Sequence, residues 1–243
     1  MIRKLYIDLM IKCLTNTIYE DISMDRNIYD PLLRKAGQDW PSCAHTMIGE
    51  KRLRNVEYAI ECVIRENIPG DFIETGVWRG GACIFMAAVM KAYGESNRTI
   101  WVADSFDGLP KPNPHKYPDD AGDRHHESRV LAVPLEEVRN NFKKYDLLSD
   151  NIKFLKGWFK DTLPNAPIKR LAILRLDGDM YESTMDGLRL YDKLSIGGFV
   201  IVDDYGSHGP CKKAIHDFRD ERGIVNTIHD IDGMGKYWRK GVI

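Results

Sequence analysis

The chain has no cysteine pair, no surplus of charge and no long apolar run, and each absence removes a class of protein. Its five cysteines (Cys13, Cys43, Cys62, Cys83 and Cys211) are scattered, with no Cys-x-x-Cys. An odd, dispersed set excludes a disulfide framework or thiolate zinc site and reads as reduced thiols, so a cytoplasmic location is expected. The formal net charge is −1, with no long run of one sign. That argues against non-specific nucleic-acid or acidic-membrane binding and makes a small molecule the expected partner. Near the N-terminus, Leu5, Leu9 and Met10 recur at helical spacing, but Lys4, Asp8 and Lys12 interrupt them. Neither a signal segment nor a membrane span is expected there. Internal repeats and low-complexity tracts are absent as well.

What is present is an alternation of short β-rich and helical runs. At 243 residues the chain suits one α/β domain with an N-terminal extension. Residues 1–68 read as a mainly helical extension, with a helix predicted over His45 to Cys62 from Met47, Leu53, Val56, Ala59, Ile60 and Val63. After Pro69-Gly70 the spacing predicts strands at 71–74, 99–103, 151–155, 171–176 and 198–202. Helices are predicted at 80–93, 134–145, 182–194 and 210–222, and a closing strand pair at 225–231 and 236–239. Nearly continuous β-branched strands alternating with helices predict a doubly wound, mostly parallel sheet over 69–243. Residues 109–131 have no periodicity, and so long a loop in a compact domain points to a functional segment.

In such sheets ligands bind beyond the carboxyl ends of the strands, and the acids fall there: Glu74, Asp104, Asp177 and Asp203 each close a strand. The run Ile73-Glu74-Thr75-Gly76-Val77-Trp78-Arg79-Gly80-Gly81 is a strand entering a helix through a loop that can approach a ligand closely. Trp78 stands where a dinucleotide fingerprint needs glycine, and no Gly-Lys-Ser/Thr follows. An acidic strand end followed by spaced glycines instead resembles the first motif of S-adenosylmethionine-dependent methyltransferases; an ordinary strand-to-helix turn is the plainer reading. Asp104 could accept both hydrogens of a ribose diol or simply cap the turn Ser105-Phe106-Asp107-Gly108.

Leu176-Asp177-Gly178-Asp179 and Val202-Asp203-Asp204-Tyr205 close two strands. Neighbouring parallel strands lie about 4.8 Å apart, so these acids crowd together, and the crowding is costly unless a cation or protons relieve it. A hard divalent ion is expected, magnesium held by Asp177, Asp203 and Asp204. Asp179 is the poorer candidate because it nears the helix through Glu182-Ser183-Thr184. Caps or ion pairs with Arg175 and Lys212 are the plainer alternative. With a metal and a sulfonium donor, a metal-bound hydroxyl would lose its proton to Asp177 and attack the donor methyl in line.

His125 and His126, beside Asp119, Asp120 and Asp123, either line an acceptor pocket or form a solvated pair. Gly157-Trp158-Phe159 follows the third strand, where an aromatic could flank adenine or serve the core. Thr46 reads as an N-cap. His208, His216 and His229 show no ligand spacing and receive no role.

These segments, in this order, closely resemble the macrocin O-methyltransferase family. The matching runs are 14–20, Trp40-Pro41, 44–49, 73–81, 101–106, 117–123, 157–164, 176–184 and 197–205. The resemblance implies a class I, Rossmann-like, magnesium- and S-adenosylmethionine-dependent O-methyltransferase acting on a sugar hydroxyl of a glycosylated natural product. It implies donor contacts from Glu74, Thr75, Gly76, Trp78, Arg79, Gly80, Gly81, Asp104, Ser105, Phe106, Gly157, Trp158 and Phe159. Asp177 becomes base and metal ligand, with Asp203 and Asp204 as further ligands. The N-terminal segment and the 109–131 loop become an acceptor lid, with Tyr19 and Glu20 toward the substrate or a neighbouring subunit, and a homo-oligomer is implied. His125 and His126 match the family pattern only loosely and stay acceptor-pocket candidates from their place in the loop. A nicotinamide-dependent sugar oxidoreductase or epimerase would lack its glycine at Trp78 and a clear Tyr-x-x-x-Lys pair. A non-catalytic donor-binding protein would have no need of the three aspartates.

Overall fold

The computed structural model describes residues 2–241; the outermost positions of the two expected segments, 1 and 242–243, lie outside them. Strands β1 (Asp71–Thr75), β2 (Ile100–Asp104), β3 (Ile152–Lys156), β4 (Leu171–Leu176) and β5 (Leu194–Val202) run parallel in the order β3-β2-β1-β4-β5. Two further strands, β6 (His229–Asp230) and β7 (Lys236–Arg239), complete the sheet, β7 lying antiparallel to β5 and β6 outermost. The helices are α1 (Ile2–Leu14), α2 (Pro31–Ala36), α3 (Glu50–Arg65), α4 (Gly81–Tyr93), α5 (Leu135–Lys144), the single turn α6 (Phe159–Thr162), α7 (Tyr181–Leu188) and α8 (Gly209–Glu221).

Successive strand side chains point to opposite faces, and the apolar residues divide accordingly. Phe72, Val102, Ile173 and Ile201 enter one core with α1, α3, α4 and α5. Their neighbours Ile73, Ala103, Leu174 and Val202 enter a second core with α7 and α8. Helix α4 is buried at every position from Gly81 to Met90, because α1 and α3 cover the side it turns away from the sheet. The N-terminal extension therefore shares its core with the sheet. Each fully buried Leu, Ile or Phe contributes about 1.5–3 kcal/mol to that association.

Several boundaries differ from expectation. Helix α3 begins at Glu50, not His45, and its N-cap is Gly49 rather than Thr46; the Thr46 hydroxyl instead accepts from Ile48 N–H at 3.3 Å. The helical extension is interrupted by irregular chain on both sides of α2. Apolar spacing locates a helix face but not the residue at which the chain turns to meet its neighbours. The predicted helix over 182–194 ends as a 3-10 turn at Arg189–Lys193. Strand β5 starts early because Leu194 pairs with Leu171 before the register shifts. Val225 is 92 % exposed and takes no part in β6. The 109–131 loop folds into three short 3-10 turns, at Pro118–Asp120, His125–Glu127 and Arg129–Leu131.

Candidate active site

Where β1 leaves the sheet, Gly76 adopts φ +88°, and a Cβ there would come within 1.6 Å of the Asp177 carbonyl oxygen. Glycine is thus required for the loop to cross the end of β4. Gly76 N–H donates to Ala103 at 2.9 Å and Asp177 N–H to Thr75 at 2.9 Å, which locks loop and β4 end together. Asp104 closes β2 and accepts from Val77 N–H and Phe106 N–H, both at 2.7 Å. The capping role foreseen for it is therefore present, and burial raises its pKa despite these bonds.

On the neighbouring strands Leu176 lies opposite Val202, so Asp177 and Asp203 emerge side by side. Oxygens of Asp177, Asp203 and Asp204 lie within 4.8 Å of one another. Two guanidinium groups partly balance them. Arg175, 1 % exposed, pairs with Glu74, Asp203 and Asp177, the last at 2.6 Å. Arg52 pairs with Asp203 and, at 3.1 Å, with Asp232. Burial opposes the charge on Arg175, yet the surrounding Asp203, Glu74 and Asp177 raise its pKa well above the ordinary value. Lys212, named beforehand as a counter-ion, makes no ion pair among the described residues; its ammonium lies 5.6 Å from the Tyr205 ring centre.

Two cations do not neutralise the six carboxylates Glu74, Asp177, Asp179, Asp203, Asp204 and Asp232. Burial, and then the charge of Asp203, raise Asp177 well above the usual carboxylate range; burial followed by Asp179 does the same to Asp204. Asp179 is pushed up to about 7 by burial and then by Asp177 and Asp203. Three converging carboxylates, Asp203 paired with arginines and Asp177 and Asp204 raised by burial and by their acidic neighbours, fit a hard divalent cation such as magnesium.

These groups open into a cavity of about 260 Å³. Of the expected donor residues, Glu74, Gly76, Trp78, Asp104, Ser105, Trp158 and Phe159 line it, together with Asp177, Asp203, Asp204 and His125. Thr75, Arg79, Gly80, Gly81, Phe106 and Gly157 are not in its wall. Phe106 is buried in the core against Phe154, and Arg79 donates to Ala44 O at 2.8 Å while stacking on Trp78. Gly81 packs against His45 O, where a Cβ would come within 2.2 Å. Tyr19 is 81 % exposed, and neither it nor Glu20 nor His126 reaches this cavity.

Sequence reading missed four features. His208, given no role, lines the cavity; its ring centre is 4.9 Å from that of His125, whose Nδ1 lies 2.7 Å from Asp123. Asp179 lies beside His208 at 3.5 Å and forms a second cluster with His208 and Asp204. Asp120 is fully buried and accepts from Tyr181 N–H at 2.6 Å and Glu182 N–H at 3.0 Å, capping α7 from the distant loop. Only Arg52 left a legible trace: with Val56, Ala59 and Val63 it falls on the buried stripe of α3, where an arginine needs an interior partner.

A parallel sheet with a closing antiparallel pair, a glycine loop after its first strand and an acid at the end of its second defines a class I methyltransferase. The profile described as Macrocin-O-methyltransferase (TylF) matches residues 21–240. The chain is 54 % identical to the 8-demethyl-8-(2,3-dimethoxy-alpha-L-rhamnosyl)-tetracenomycin-C 4'-O-methyltransferase of Streptomyces olivaceus, over 98 % of this chain and 93 % of that one. It is 46 % identical to the mycinamicin III 3''-O-methyltransferase of Micromonospora griseorubida, over 98 % and 96 %. The solved structure of the O-methyltransferase NovP superposes with a TM-score of 0.96 at 52 % identity, covering 99 % of this chain and 100 % of that one. The chain belongs to the macrocin O-methyltransferase family and is an S-adenosylmethionine-dependent O-methyltransferase. Among the described residues no helix is long and apolar enough to cross a membrane.

Proposed function

We infer that the enzyme methylates a sugar hydroxyl of a glycosylated natural product in a magnesium-dependent reaction. The observation that carries the reading is the convergence of Asp177, Asp203 and Asp204 beside the glycine loop in one cavity. The sugar acceptor is supported by the relatives, one named for 4'-O-methylation of a rhamnosyl-tetracenomycin and another for 3''-O-methylation of mycinamicin III. Magnesium, held by Asp177, Asp203 and Asp204, would gather the acceptor oxygens and make the reacting hydroxyl more acidic. The sulfonium donor supplies an electrophilic methyl and leaves as the neutral thioether.

The chain's own groups do the rest. Asp177, in the cavity wall just beyond the end of β4, accepts the hydroxyl proton as the oxygen gains the methyl group. Asp104 holds the donor ribose, and Trp158 and Phe159 flank its base. The acceptor wall is formed by the N-terminal segment through Asp39, Trp40, Met47 and Ile48 and by the loop through Leu109, Pro110 and Leu131, which face the same space. Holding the two reactants together in this partly closed cavity supplies much of the rate.

Titration calorimetry with S-adenosylhomocysteine, with and without magnesium and against NAD, tests the reading. Micromolar binding of the thioether with no NAD response, and methyl transfer to glycosylated acceptors that a chelator abolishes, is the expected result. Full activity in chelator would remove the metal; absence of thioether binding would remove the donor assignment.

A further inference from the structure

Arg52 joins four parts of the molecule that are remote in sequence. It stands in the first turn of α3 and is 8 % exposed. Its Nη1 donates to an oxygen of Asp203; Nη2 donates to Gly37 O at 2.8 Å and Nε to Asp232 at 3.1 Å. Asp232 in turn accepts from Met234 N–H at 3.1 Å and Gly235 N–H at 2.9 Å, so it holds the turn between β6 and β7. The stem of Arg52 fills the space over Gly235, where a Cβ would come within 3.1 Å of its Cδ. Gly37 and Met234 both line the cavity. One planar guanidinium therefore fixes a wall loop, a second wall turn and one of the three converging carboxylates.

The two oxygens of Asp203 are held from two sides, one by Arg175 and the other by Arg52. Arg175 belongs to β4, whereas Arg52 belongs to α3 of the N-terminal extension. Each guanidinium gives Asp203 one nitrogen, on opposite oxygens, so the two together fix the carboxylate's rotation; the plane of Arg52 is itself held by Gly37 O and Asp232, which an ammonium could not reproduce.

We propose that Arg52 is a positioning residue that sets the orientation of Asp203 for divalent-cation binding and ties it to the N-terminal wall of the cavity. This rests on the magnesium reading given above. Charge and orientation make opposite forecasts. Removing a positive charge beside a cation site strengthens cation binding by Coulomb's law alone. Removing an outer-shell partner that orients a ligand weakens it, by about 10–100-fold.

Mn²⁺ titration followed by the EPR signal of the free ion, with S-adenosylhomocysteine present, separates the two. The expected result is about 10–100-fold weaker Mn²⁺ binding in Arg52→Met, an intermediate loss in Arg52→Lys, and a smaller loss in Asp232→Asn. Calorimetric affinity for S-adenosylhomocysteine should stay within about twofold, since no donor-loop contact is touched. Unchanged or tighter Mn²⁺ binding in Arg52→Met overturns the proposal. Should Arg52→Met fail to fold, wild-type Mn²⁺ affinity in both Arg52→Lys and Asp232→Asn overturns it instead. A wild-type protein that binds no Mn²⁺ overturns the metal reading and this proposal with it, whereas binding by the wild type that Arg52→Met retains overturns this proposal alone.

Discussion

The glycine-loop wall and the carboxylate floor of the cavity are built by different means. The wall is held mainly by backbone N–H groups at the strand ends: Gly76 N–H donates to the Ala103 carbonyl, and Val77 and Phe106 N–H donate to the Asp104 carboxylate. The floor is held by charged side chains from distant segments, with Arg52 and Asp203 separated by 151 residues and Arg52 and Asp232 by 180. Bonds between backbone groups carry no titrating charge, so pH reaches these wall contacts through the Asp104 carboxyl. Buried ion pairs cost several kcal/mol per charge to assemble, so the floor is the part whose electrostatics a bound cation can reset. The wall is a rigid template, and the floor is poised.

Substitutions can break this contrast, beginning with the largest effect. Gly76→Ala should destabilise the enzyme by about 3–5 kcal/mol, combining overpacking with strain at positive φ; urea unfolding and soluble yield report it, and near-wild-type stability would deny that the loop and β4 are locked. Asp177→Asn should lower turnover by about 10²–10⁴-fold while S-adenosylhomocysteine affinity stays within about threefold; substantial remaining activity would sink its role as base. Asp104→Ala should weaken S-adenosylhomocysteine binding by about 10–100-fold, the worth of charge-assisted hydrogen bonds of about 1.5–3 kcal/mol. An unchanged affinity would leave Asp104 as a cap only. Asp120→Ala removes the cap on α7 and should cost about 1–2 kcal/mol, read by urea unfolding; a neutral result would mean the loop is not pinned there.

The smallest effect is a pH dependence of the floor. In the folded chain Asp179 holds its proton up to about 7, whereas an unfolded aspartate releases it near about 3.9. The folded state therefore binds more protons in this window, and stability falls as pH rises through it. His45, held down to about 4 by burial, acts in the opposite direction but is spent above about pH 6.5. Between pH 6.5 and 8 the melting temperature of the metal-free protein should decline, and excess magnesium should flatten the decline. A metal-free melting temperature that rises over this range contradicts the poised floor.

Much of this was legible from residue order. The strands of the parallel sheet, the glycine turn at Gly76 and the acids ending β1, β2, β4 and β5 follow from local pattern, since period and strand-end position are properties of neighbours in sequence. The N-terminal boundary of α3 did not follow, because Gly49 rather than Thr46 meets the geometry set by Gly37, against which Gly49 packs with a hypothetical Cβ 2.5 Å from its amide nitrogen. Nor did His208, whose meaning comes only from His125 and Asp179 beside it. Asp119, Asp120 and Asp123 looked alike in the loop, yet Asp120 is buried under α7 and Asp123 faces His125.

By itself the sequence determined the parallel sheet, the donor-type loop and the family, because alternating apolar runs and strand-end motifs are short-range patterns. The tertiary structure alone decided that Arg52 and Arg175 share Asp203, that Asp120 caps a helix from 61 residues away, and which of the motif residues face the cavity. Partners for buried charges are chosen by proximity in space, and a linear order of residues carries no record of that distance.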